Sequence, residues 1–254
     1  QFSQQVALHL VPVWVVARVL GALMGVATVG VAYAIGRRLF GRTAGLWAAA
    51  LLATSFLHVS LSHFVRHWVP ATLAFSLIVL AAIEVYRAPS RRWYLLGGLF
   101  AGLAFGVSYI TVVGLVALFL AHIYRCGRDW RKMLLDRWLW AASGLFAGLA
   151  ALFVALHPQE FFRITAGEDS TATAVKSLAG LAGEYGYHLR NLLNLDPVVL
   201  IAAILGVFFL LVRRRWREVG MVAATPMVYI AVLYFFFHSE VRYILMMLPL
   251  LAVA

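Results

Sequence analysis

Long apolar runs recur along the chain, separated by short polar breaks, and this pattern predicts membrane-spanning helices. The runs do not alternate apolar and polar residues, so the strands of a membrane barrel are excluded. The first run covers about 13–36 and the second about 46–62. A polar break, His63-Phe64-Val65-Arg66-His67-Trp68-Val69-Pro70, leads into a third run that ends near 86. Further runs are expected at about 138–156, 197–212 and 219–237, and another resumes from Tyr243.

Residues 93–124 are the strained case, because two full spans need roughly 40 residues and this interval has 32. Two short or partly re-entrant helices fit it, turning at Ser108-Tyr109-Ile110-Thr111 with the tip buried in protein. Gly97, Gly98, Gly102, Gly106 and Gly114 allow the close packing this needs. One long tilted helix is the alternative. The fold expected is all-α, a polytopic transmembrane bundle of about nine membrane segments.

Between about 157 and 196 lies a long polar segment read as an external loop. Gly167-Glu168-Asp169-Ser170-Thr171 has the composition of a helix start, and Val175, Leu178, Leu181, Ala182, Tyr185, Leu189 and Leu192 recur at spacings of three and four. They predict an amphipathic helix that either anchors the loop at the outer leaflet or covers the mouth of a site. Asp196-Pro197 then opens the next span.

Composition agrees with the pattern: 64% of the 254 residues are hydrophobic and 12% charged, against roughly a quarter charged in soluble domains. The net charge of +11 raises the question of a nucleic-acid partner. Position answers it. Fifteen of the 21 basic residues fall in four loop clusters: Arg37, Arg38 and Arg42; Arg87, Arg91 and Arg92; Arg125, Arg128, Arg131, Lys132 and Arg137; Arg213, Arg214, Arg215 and Arg217. Short Lys/Arg-rich loops belong on the cytoplasmic side, so this charge reads as topology, with no nucleic-acid partner expected. On that topology the six remaining basic residues lie on or near the external side, as do seven of the eight histidines, His122 being the exception. Cytoplasmic loops are then chemically plain, and chemistry is expected outside. Cys126 is the single cysteine and admits no internal disulfide.

Neither an initiator Met nor a signal-peptide pattern precedes the first run, and the chain stops within an apolar stretch. The expectation is one transmembrane domain over 1–254, an internal piece of a longer protein.

At the outer face, Arg66 sits beside His63 and His67, a fixed cation among proton carriers that suits a phosphate. Snorkelling to headgroups is the plainer role for the same residues. The break Glu240-Val241-Arg242-Tyr243 carries a second arginine on that face, with a local Glu–Arg pair as its plainer role. His157-Pro158-Gln159-Glu160 ends a span, and its His and Glu suit acid–base work or metal ligation, though no second ligand pair at diagnostic spacing follows. A divalent metal is therefore possible but unsupported, and no cofactor is assigned.

The run from Arg18-Val19-Leu20-Gly21 through Tyr33-Ala34-Ile35-Gly36-Arg37-Arg38-Leu39-Phe40-Gly41, with 48–53 and His58-Val59-Ser60-Leu61-Ser62-His63, resembles the polyprenyl-phosphate-dependent GT-C glycosyltransferases of the protein mannosyltransferase and aminoarabinose transferase type. Residues 63–70 are similar to that family's short external loop after the third helix, and 98–106 and 242–249 match the style of its later helices. The resemblance implies a sugar carried on a lipid phosphate and transferred on the extracytoplasmic side, in a bacterial plasma (inner) membrane. It implies a carboxylate base on a first external loop, which would precede Gln1, and arginines that contact the lipid phosphate. Arg66, Arg242, Tyr243, His157 and Glu160 are the candidates for substrate and phosphate binding, with His63 and His67 as candidate catalytic groups. The family's loop commonly carries an aspartate where this chain has Trp68. A non-catalytic subunit that packs in a larger membrane complex among lipids is the alternative; a transporter would want charges near mid-membrane, and the spans carry few.

Overall fold

A computed structural model describes residues 2–159, 161, 178–236 and 240–254. All regular structure among the described residues is helical. In chain order the helices are α1 (Phe2–Phe40), α2 (Arg42–Thr54), α3 (Phe56–Ser62), α4 (Trp68–Arg87), α5 (Arg91–Val107), α6 (Gly114–Cys126), α7 (Trp130–Leu135), α8 (Arg137–Leu156), α9 (Leu178–Leu195), α10 (Pro197–Val212), α11 (Trp216–Val219), α12 (Thr225–Phe236) and α13 (Leu248–Val253). Two 3-10 turns, Tyr109–Val113 and Val241–Met246, precede α6 and α13.

Five helical stretches among the described residues are long and apolar enough to cross a membrane: Val11–Phe40, Trp68–Arg87, Tyr109–Cys126, Trp130–Leu156 and Trp216–Phe235. A sixth exists if the bent pair α2–α3 counts as one span. The chain is an integral membrane protein. The expected nine segments exceed this count because α5 and α10 have only 17 and 16 residues, about 25 Å of helix against a hydrocarbon core of roughly 30 Å.

α4 forms the centre, packed on α1, α5 and α6, and 72% of its apolar window is buried. Phe75, Ile78, Val79, Ala82 and Ile83 are fully buried. Its buried hydroxyls bond back along the helix, Thr72 to the Trp68 carbonyl at 2.8 Å and Ser76 to the Thr72 carbonyl at 2.7 Å, which satisfies them without a partner helix. α8 stands at the periphery and pairs with α5. There the small residues have their expected use: a Cβ at Gly102 would come within 2.6 Å of Leu149, and one at Gly98 would enter the Ala142 backbone.

The interval 93–124 folds as a hairpin. α5 ends at Val107, Ser108 turns in extended conformation, and the tip residues Ile110, Thr111 and Val113 are buried. Tyr94 near the start of α5 meets His122 and Arg125 near the end of α6, which rules out one long tilted helix.

All four basic clusters come to one end of the bundle. Arg38 pairs with the buried Glu84 at 2.7 Å, and Arg87 donates to the Arg38 carbonyl. Arg125 reaches Tyr94 in the hairpin that follows Arg91 and Arg92, and Arg215 lies 5.5 Å from the Phe40 ring.

The apolar run 46–62 is not the single helix that its composition predicted. It bends by 61° at Ser55. There the backbone turns extended (φ −62°, ψ 121°) and the hydroxyl accepts from the His58 N–H, which caps α3.

Candidate functional site

At the end opposite the basic clusters, loop 63–67 joins α3 to α4. α4 begins at Trp68, with Pro70 in its first turn, where the missing N–H would have no helical partner in any case. The 3-10 turn Val241–Met246 packs against the starts of this region, α3 and α4. It sets the Arg242 guanidinium 4.8 Å from the Trp68 ring centre. Arg66 approaches the same ring at 5.8 Å, and the His67 ring meets its edge at 5.9 Å. Trp68 itself is buried at 9% exposure, so its indole is a fixed platform under two cations.

Glu240 pairs with Arg242, and Arg242 also lies 5.9 Å from the Tyr243 ring. Among the described residues the buried Arg242 Nε has no hydrogen-bond partner. Among the described residues Glu240, paired with Arg242, is the one carboxylate in this cluster against the guanidinium groups of Arg66 and Arg242, which leaves positive charge and donors for an anion.

Surrounding side chains strip water from part of the His67 ring, and the Arg242 and Arg66 charges repel a proton, so its pKa is lowered from the ordinary 6.5. The folded state therefore binds this proton later than the unfolded chain as pH falls. The corresponding stability is present above pH 6.5 and is lost as pH drops from there toward the folded value. A His67→Asn variant should show a shallower fall of melting temperature below pH 6.5 than the parent; an identical slope contradicts the assignment.

The structure therefore brings Arg66, His67, Arg242 and Tyr243 together. It does not bring the other candidates to them. His63 lines a cavity of about 220 Å3 between α1 and α3 together with Gly25, His58 and Ser62. His157 is exposed at the end of α8, and no hydrogen bond, ion pair or ring contact among the described residues joins it to the cluster. The reason is packing: α8 is held against α5, on the far side of the bundle centre. Glu160 and the helix start at 167–171 lie outside the described residues. The amphipathic helix is present as α9, and it packs on α10, α12 and the 3-10 turn that carries Arg242. Tyr185 fixes it by donating to the Met227 carbonyl at 2.7 Å, and His188 pairs with Glu184 at 3.1 Å.

One residue beside the site was read only as a helix start. Asp196 makes no cap bond to its own helix. Its buried carboxylate crosses the bundle and accepts from the Phe56 N–H at 2.7 Å, the Leu57 N–H at 3.1 Å and the Ser55 hydroxyl at 3.0 Å. Ser55, interrupting an apolar run, was the signal available for it. Among the described residues no group of three or more His, Cys, Asp or Glu side chains could hold a metal ion.

Residues 7–156 match the model of a family described as dolichyl-phosphate-mannose-protein mannosyltransferase. The chain belongs to this family. It lies within the GT-C superfamily that the sequence resembles. Its fold is similar to that of ArnT from Cupriavidus metallidurans, solved as a crystal structure in the apo state: TM-score 0.61, 17% identity, 93% of this chain and 44% of that chain. The chain thus spans less than half the length of that protein. No curated protein matches it.

Proposed function

We propose that this chain is part of a membrane glycosyltransferase that moves a sugar from a polyprenyl-phosphate carrier to an acceptor on the extracytoplasmic face. The observation that carries the reading is the pair Arg66 and Arg242 on one Trp68 ring. The acceptor oxygen attacks the anomeric carbon, the bond from that carbon to the phosphate oxygen breaks, and the configuration inverts. The departing polyprenyl phosphate gains negative charge as it leaves, and two guanidinium groups fixed beforehand stabilise it. His67, held neutral, stands beside them as a proton carrier. The base that takes the acceptor proton is, by the family resemblance, a carboxylate on a first external loop.

The end carrying the four basic clusters is the cytoplasmic side on this reading, which puts Trp68 outside, in an inner membrane. Counting α5, α10 and the segment 241–253 as membrane segments gives nine, with 157–196 external and α9 covering the Arg242 turn.

A non-catalytic subunit is the second reading. Trp68 stands where the family commonly has an aspartate, and the one carboxylate of the cluster among the described residues, Glu240, is committed to Arg242. The test is turnover of a polyprenyl-phosphate sugar by the full-length protein in liposomes. Sugar transfer to acceptor on the Trp68 side supports the enzyme; tight binding of the donor without transfer supports the subunit.

A further inference from the structure

The basic end of the bundle holds a second constellation, separated from Trp68 by the length of α4, 20 residues or about 30 Å. A cavity of about 350 Å3 is lined by Arg125, Cys126, Arg131, Lys132, Leu135 and Asp136. It forms where α6 ends and the chain turns at Gly127, whose φ of 61° suits glycine, into α7 and α8.

Every carboxylate oxygen in this segment is already engaged. Asp129 accepts from the Lys132 backbone N–H through Oδ1 and pairs with Lys132 Nζ through Oδ2 at 3.1 Å. Asp136 accepts from the Trp138 N–H through Oδ1 at 2.8 Å and from Arg125 through Oδ2 at 2.9 Å. Five basic residues against these two leave the segment 125–137 at +3. Arg125 is fixed further, since it donates to the Tyr94 hydroxyl at 2.7 Å. That hydroxyl donates in turn to His122 Nδ1 at 2.6 Å, because His122 Nε2 faces the Met133 carbonyl at 2.9 Å and carries the ring proton. Arg131 is exposed and stacks on Trp130 at 5.5 Å, and among the described residues no carboxylate pairs with its fork.

The rim of this cationic cavity is apolar. Trp130, Leu134, Leu135 and Trp140 are 50–74% exposed, and Trp140 is tied to α7 by donating to the Leu134 carbonyl at 2.7 Å. Cations alone would suit any soluble anion, but exposed indoles and leucines beside them require hydrocarbon. We propose that this cavity binds the headgroup phosphate of an anionic phospholipid of the adjacent leaflet. Arg131 and Lys132 hold phosphate oxygens, Arg125 fixes the cavity floor, and Trp130, Leu134, Leu135 and Trp140 lie at the acyl-chain boundary.

The test is native mass spectrometry of the full-length protein in neutral detergent with phosphatidylglycerol or phosphatidylcholine added. The parent should retain phosphatidylglycerol in preference. Arg131→Ala with Lys132→Ala, both exposed and therefore tolerated by the fold, should weaken that retention about fivefold or more and leave phosphatidylcholine unchanged. Arg213→Ala with Arg214→Ala, in a different basic cluster, should keep the preference. Retention unchanged in the first variant, an equal loss in the second, or displacement of the lipid by millimolar inorganic phosphate each overturns the proposal.

Discussion

Replacing both Arg66 and Arg242 with alanine is expected to lower sugar transfer by the full-length protein about a hundredfold or more, with the protein still folded and inserted. Removal of a single charge-stabilising donor typically costs a factor of about 10²–10³ in turnover, and here two donors face one anion. The fold should survive because Arg66 and Arg242 both reach solvent and Trp68 belongs to an apolar core cluster with Leu57, Val69, Ile244 and Leu245 that neither substitution removes. The effect should fall on kcat more than on KM, since the charge on the phosphate grows as the sugar departs. Arg242→Lys is informative beside it. A lysine keeps the charge and loses the planar fork, so transfer between parent and alanine variant is expected.

Asp196→Ala should destabilise the folded protein by about 3–5 kcal/mol, because each buried donor left without a partner costs about 1–3 kcal/mol. The Phe56 and Leu57 N–H groups lose their acceptor, and so does the Ser55 hydroxyl. Asp196→Asn keeps one acceptor oxygen and should lose less than half as much. Reversible unfolding in detergent measures both, and a loss under about 0.5 kcal/mol for alanine contradicts the cross-bundle cap. Transfer should fall with Asp196→Ala as well, since α3, which it holds, leads into the loop that carries Arg66.

What could be read in advance depended on how local the determinant is. The hairpin at Ser108 was legible because chain length and a glycine series both demanded a turn there, and Tyr94 against Arg125 shows it. That Arg66 and Arg242 lie at the end opposite the basic clusters was legible from the parity of the basic loops. Their sharing of Trp68 was not, because the choice of ring depends on how a 3-10 turn docks on α4. The bend at Ser55 was hidden for a similar reason. A serine in an apolar run reads as a tolerated polar residue, and only Asp196, 141 positions later, makes it a break. Asp196 in turn reads as a cap for the helix that Pro197 opens, a local role it does not play. The separation of His157 from the Trp68 cluster was not legible either, since residues at the same end of a bundle can be kept apart by a whole helix layer, here α5. The basic end was read as chemically plain because Lys/Arg-rich loops carry topology, and the Tyr94–His122–Arg125 network beneath them has no sequence spacing of its own.

The central claim is that Arg66 and Arg242 grip a lipid-borne phosphate. Its most direct measurement is the binding of polyprenyl phosphate without sugar to the purified full-length protein, set against the unphosphorylated polyprenol. The account predicts that the parent prefers the phosphate form, and that the double alanine variant binds it at least about tenfold more weakly while polyprenol binding is unchanged. Equal affinity of parent and variant for polyprenyl phosphate would contradict it.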